Sequence, residues 1–268
     1  MMIAKPPPIS TGTAAALLVV YTIIYVAPFY LSRTTRPSRT LSRDSPSVIR
    51  ARITSVSLTC LVCSAITWLI LTSQGRSTYG EALHSMGYWP LGLAETARSL
   101  LLTAILFSGP LYEALFVRGT WRYFSDSQFF SEIYSDWQIW RNVIVGPFTE
   151  EVLFRSASVS LMVLAQTPVA RTIFLSPVIF GLAHFHHLYE FRITHPHVPA
   201  ITGILRSILQ FGYTSLFGAY ATFVFLRTGS LLAIFVLHAF CNVMGLPRFW
   251  GRVEPSSGDD DDEEEEEE

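Results

Sequence analysis

Between residues 11 and 31 the chain reads TGTAAALLVVYTIIYVAPFYL, twenty-one residues without one charge. As a helix this run covers about 30 Å, the hydrocarbon thickness of a bilayer, where only backbones that satisfy their own hydrogen bonds survive. Comparable stretches recur at 53–71, about 99–117, about 139–165, about 172–190, about 201–226 and 230–247. The expected fold is therefore all-α, a polytopic membrane protein of about seven to eight transmembrane helices with a polar site in a cavity between them. Composition agrees, since half of the 268 residues are hydrophobic and 15% charged, with a mean hydropathy of +0.37. A soluble domain of ordinary make-up is more polar than this. One lysine and three prolines precede the first run and no A-x-A site follows it, which favours an uncleaved helix over a signal peptide. The run 201–226 holds Arg206 and Gly212 and is expected to hide a break.

The formal net charge of −2 conceals an asymmetry. Ten of the 21 acidic residues form the terminal run Asp259–Glu268, so the body carries 19 basic against 11 acidic groups. Residues 1–252 are expected to form one helical membrane domain, and 253–268 a disordered acidic tail, because a block of like charges repels itself and buries nothing. The loop after the first run, SRTTRPSRTLSRDSPSVIRAR, has six arginines against one aspartate. By the positive-inside rule it faces the cytoplasm and the N-terminus lies outside or in a lumen. The mixed aromatic segment 118–141 reads as interfacial, with Trp and Tyr rings at headgroup depth. Cys60 and Cys63 form a C-x-x-C, but inside an apolar span, where packing is a better account than redox or metal chemistry. No nucleotide-binding glycine loop is present and no nucleic-acid partner is expected.

Three apolar segments carry polar groups that a membrane helix does not require. In VGPFTEEVLFRS, residues 145–156, Glu151 and Arg155 are four apart and share a helix face. Glu150 lies about 100° away around the helix, free to point elsewhere. A charge at bilayer depth costs roughly 2.5–3.5 kcal/mol on insertion scales, so these groups need pairing, hydration or a use. A desolvated Glu150 without a partner is expected to have a raised pKa, as a general base near neutral pH requires. A structural ion cluster at a helix end is the plainer alternative. In FGLAHFHHLYE, residues 180–190, His184 and His187 share a face, with Phe180 one turn before His184 and His186 beside them. In HAFCN, residues 238–242, His238 and Asn242 are one turn apart. An amide at that depth must find a partner, and helix–helix glue explains the pair as well as catalysis does.

Together these groups supply a carboxylate base, imidazoles and hydrogen-bond donors, the inventory for attack of water on a carbonyl. Neither an H-E-x-x-H zinc helix nor a G-x-S-x-G elbow is present. Water activated by protein groups alone, with no cofactor and no metal, is the leading mechanism. A zinc held by His184, His187 and a glutamate is the metal-dependent competitor.

Glu150-Glu151-x-x-x-Arg155, Phe180-x-x-x-His184 and His238-x-x-x-Asn242 resemble the three motifs of the CAAX protease and bacteriocin-processing superfamily of membrane enzymes. RDSPSVIRAR, FGLAHFHHLYE and SLFGAYATFVFLRTGSLLAIFVLHAFCNVMGLP resemble its eukaryotic type II CAAX prenyl endopeptidase branch, from about Arg43 to about Pro247. The resemblance implies a multi-pass enzyme of the endoplasmic-reticulum membrane that removes the last three residues of farnesylated or geranylgeranylated C-a-a-X proteins by glutamate-type, metal-independent hydrolysis. It implies that Glu150 and His184 activate water and that His238 and Asn242 stabilise the oxyanion, with Glu151 and Arg155 in support. It does not assign His186 or His187, the second of which we count as supporting. A prenylated tail partitions into the bilayer, so a cavity between helices suits it. Seven spans and an outside N-terminus put Glu150 in the cytoplasmic half of its helix, where such tails are presented. Intramembrane Glu, His and Arg also build the relays of ion-coupled transporters, a class disfavoured by the missing repeat symmetry. A non-catalytic scaffold on the same fold is the third class.

Overall fold

The computed structural model describes residues 6–119 and 135–246, and within them every regular element is helical. The tail 253–268 and most of the aromatic segment 118–141 lie outside the described residues. Seven helical runs correspond to the seven apolar stretches. They are α1 (Thr11–Leu31) and α2 (Pro46–Ser73), the bent pair α4 (Leu93–Leu106) and α5 (Ser108–Val117), the composite α6 (137–164), α7 (Val169–Thr194), α8 (Ala200–Thr228) and α9 (Leu231–Met244). A short helix, α3 (Tyr79–Ser85), lies between α2 and α4.

Four helices, α1, α2, α7 and α8, are long and apolar enough to cross a membrane, and α4–α5 makes a fifth if the bent pair is one span. Leu61, Leu69, Leu101, Ile105, Phe174 and Leu216 project outward from them, each more than half exposed, as a lipid-facing surface demands. The ends of the helices are legible in local chemistry. Pro46 occupies the first turn of α2, where its missing N–H is no loss. Gly229 ends α8 in the left-handed region at φ 62°. Ser230 then starts α9, its hydroxyl accepting from Ala233 N–H and donating to the Leu91 carbonyl at 2.7 Å.

α6 is the axis of the molecule and touches α1, α2, α7, α8 and α9. From Glu151 to Met162 every residue is buried, so this segment meets protein rather than lipid on all sides. That placement resolves how charge survives at this depth. The helix is also irregular. Two π-helical stretches, Trp140–Val145 and Val152–Ala157, flank the α-helical Gly146–Glu151, and such insertions re-aim side chains at functional sites. α7 is interrupted at His184–Phe185, and α7 and α8 pack along most of their length.

One expectation changes. The break expected in 201–226 is absent, because α8 is continuous over 29 residues. Gly212 faces open space, where a glycine in a membrane helix is tolerated, and the Arg206 guanidinium covers the Phe191 ring at 5.7 Å. The break falls instead between α4 and α5, which meet at 83°. Cys60 and Cys63 are free and buried, with Cys60 donating to the Thr149 carbonyl, as packing residues.

Candidate active site

Glu150 and Glu151 part company on α6. Glu151 is fully buried, and its Oε1 accepts from Arg155 Nη1 at 3.0 Å and lies 2.7 Å from His238 Nδ1 on α9. Arg155, 1% exposed, holds its guanidinium 4.7 Å from the Phe180 ring centre and 5.8 Å from that of Phe217. One carboxylate thus serves two cationic or donor partners, and two aromatic faces solvate the arginine where water does not reach. The approach of α8 depends on Gly218, where an added Cβ would meet Pro177 Cβ at 2.7 Å and Arg155 Nη2 at 3.1 Å.

Glu150 points the other way, onto the wall of a cavity of about 360 Å³. Its carboxylate lies 3.9 Å from His238 Nε2. His238 therefore bridges the two glutamates, with Nδ1 on Glu151 and Nε2 toward Glu150. It is only 6% exposed and reaches Glu150 from the protein side rather than lining the cavity.

His184 lines the same cavity from the interruption in α7. Its Nδ1 lies 2.9 Å from the Phe180 carbonyl. A carbonyl only accepts, so Nδ1 carries the proton and a neutral ring keeps its lone pair on Nε2. The Phe180-x-x-x-His184 spacing now has a physical account. Phe180 presents its ring to Arg155, packs edge-on against Phe154 and His184, and orients His184 through its carbonyl.

Asn242 also lines the cavity, and its amide donates to the Asn142 carbonyl at 2.8 Å. That carbonyl is free for a sequence reason. Gly146 N–H reaches back to Arg141 in the π register, and the next residue, Pro147, has no N–H. No backbone donor is in register for Asn142, and Asn242 takes the place. The second N–H of the amide remains for the cavity.

His187 faces Glu190, with Nδ1 3.4 Å from Oε2. Glu190, 5% exposed, is held by Arg52 at 2.7 Å and Arg43 at 3.2 Å. This second buried ion cluster escaped the sequence reading. Its signal was a glutamate inside an apolar span, with six arginines in a loop far away in sequence. Tyr25 was missed as well. It lines the cavity and its hydroxyl lies 3.0 Å from that of Thr149, yet nothing in the run 11–31 marks it. Among the described residues no three His, Cys, Asp or Glu side chains are grouped to hold a metal ion.

The family described as Type II CAAX prenyl endopeptidase Rce1-like matches residues 133–244, the stretch that carries all three motifs. "Probable CAAX prenyl protease 2" of Schizosaccharomyces pombe is 38% identical over 233 residues, covering 87% of this chain and 81% of that protein. "CAAX prenyl protease 2" of Homo sapiens is 33% identical over 243 residues, covering 86% and 70%. The Saccharomyces cerevisiae protein of that name is 27% identical over 259 residues, covering 86% and 79%. No solved structure matches. With two such relatives more than 30% identical and each covered over more than two thirds of its length, the chain belongs to the CAAX prenyl protease 2 family.

Proposed function

We propose that the chain is an intramembrane endopeptidase that hydrolyses the peptide bond after the prenylated cysteine of C-a-a-X proteins and releases the -aaX tripeptide. The observation that carries this reading is the division of labour at residues 150 and 151. One carboxylate is buried and paired, and the other faces a cavity that His184 and Asn242 also line, with His238 Nε2 3.9 Å behind it. The names of the relatives supply the substrate class.

In this reading Glu150 takes a proton from a water in the cavity as the oxygen attacks the scissile carbonyl. His184 Nε2 holds that water and shares the proton. Charge then develops on the carbonyl oxygen, for which the second Asn242 N–H is the donor on the cavity wall. His238, with Nε2 3.9 Å from Glu150 and Nδ1 on Glu151, which Arg155 fixes in turn, supports the oxyanion from behind Glu150 in this reading. Collapse of the tetrahedral intermediate breaks the C–N bond, and protonated Glu150 returns its proton to the leaving amine. Catalysis needs no metal in this scheme.

Arg39 Nε donates to the Ile193 carbonyl and Arg43 lines the cavity, so the arginine-rich loop sits at the cavity mouth. The positive-inside rule then supports a mouth facing the cytosol, and the endoplasmic-reticulum membrane is the location that the family resemblance implies. Incubating the purified protein with a farnesylated C-a-a-X peptide tests the whole reading. A released tripeptide supports it, and absence of cleavage in a folded preparation overturns it.

A further inference from the structure

Arg43 from the loop, Arg52 from α2 and Arg141 from α6 all line the cavity that holds Glu150. Glu190 bonds two of them, and Asp44 bonds Arg141 Nη1 at 2.8 Å. Three cations thus face two carboxylates at the mouth of a membrane-embedded cavity. Arg43 Nη2, Arg52 Nη1 and Arg141 Nη2 make no hydrogen bond among the described residues. The guanidinium of Arg43 is pushed below its ordinary value, first by burial and further by Arg141 and Arg52, against the pull of Glu190. Apart from Glu150 farther along α6, three guanidinium groups here meet two carboxylates.

Arg141 stands nine residues before Glu150 on α6, at most about 13 Å along the axis. A substrate cut three residues from its end carries an α-carboxylate, and three extended residues span about 10 Å. A tail with its scissile carbonyl at Glu150 therefore brings that carboxylate to the level of Arg141.

We propose that Arg141, backed by Arg43 and Arg52, forms a subsite for the C-terminal α-carboxylate of the substrate, and that it sets where the tail is cut by fixing the distance from the chain end to Glu150. A guanidinium fork matches a carboxylate in geometry as well as charge. The proposal rests on the endopeptidase reading.

The test uses the full chain in detergent or liposomes and two farnesylated C-a-a-X peptides that differ only in ending as a free acid or a carboxamide. The wild-type protein is expected to favour the acid by about ten- to a hundredfold in kcat/KM, chiefly through KM, the range of a charge-assisted hydrogen bond. Arg141→Gln should bring the acid-to-amide ratio close to one. Asp44→Asn, at a half-exposed side chain, should raise the ratio by releasing Arg141 from its counter-ion, with Tm measured on the same preparation. Equal turnover of both peptides by the wild-type protein overturns the subsite and leaves the endopeptidase reading standing. So does an undiminished ratio in Arg141→Gln, or an unmoved one in Asp44→Asn. Equal turnover that rises with anionic lipid only while Arg141 is present assigns the arginines to headgroup phosphates instead. Cleavage of neither peptide removes the endopeptidase reading and the subsite with it.

Discussion

Two adjacent glutamates with opposite fates imply two different mutant phenotypes. Replacing Glu151 with Gln strips the counter-ion from Arg155, and an uncompensated buried charge costs about 3–5 kcal/mol. Glu151→Gln is therefore expected to lower Tm and expression along with turnover, which thermal unfolding and peptide cleavage measure side by side. Asn242 separates differently, because one amide N–H is structural and the other faces the cavity. Asn242→Ala should cost about 1 kcal/mol as lost helix glue and, as a lost oxyanion donor, on the order of a hundredfold or more in kcat with near-normal peptide binding. A drop in stability with unchanged kcat would leave Asn242 only its bond to Asn142. Most of this was legible in the residues, since Glu, Arg, His and Asn inside apolar runs each demand a partner. Which partner was not legible. The 2.7 Å approach of His238 to Glu151 joins segments 87 residues apart, and Glu190 finds Arg52 across 138.

At the scale of elements the site depends on irregularity in α6 and close contact between α7 and α8. Gly218→Ala places a methyl into Pro177 and Arg155, and overpacking of that kind costs typically about 1–3 kcal/mol. The variant should show a lower Tm and reduced turnover together, since Arg155 holds Glu151. Normal values for both would mean that α8 shifts freely and that the close approach is unimportant. Helix positions followed from hydropathy, because lipid imposes apolar length directly. Breaks followed less well. Ser108-Gly109-Pro110 offered the turn chemistry that bends α4 into α5, whereas Gly212 misled because an isolated glycine breaks a membrane helix only when packing exploits it. The π register of α6 left no mark in the sequence beyond Pro147.

The whole molecule encloses its charged helix within apolar ones and opens at the arginine-rich end. If the cavity mouth is cytosolic, Thr40→Cys, in that loop, should react with a membrane-impermeant maleimide on sealed microsomes whose cytosolic face is outward. Labelling only after permeabilisation would invert the topology. On the proposed scheme, in which Glu150 activates the water, thorough chelation should leave turnover unchanged and metal analysis should find no stoichiometric zinc. Activity lost on chelation and restored by zinc would establish the metal-dependent route. The central claim is that the cavity-facing carboxylate of Glu150 performs the chemistry, and Glu150→Gln tests it most directly, since the amide keeps the shape but takes no proton from water. Single-turnover cleavage of a farnesylated C-a-a-X peptide, with Tm and peptide binding measured on the same preparation, is the decisive measurement. The account predicts wild-type Tm and binding with tripeptide release reduced at least about a hundredfold, the scale of lost general base catalysis. Release at the wild-type rate by the folded variant would contradict it.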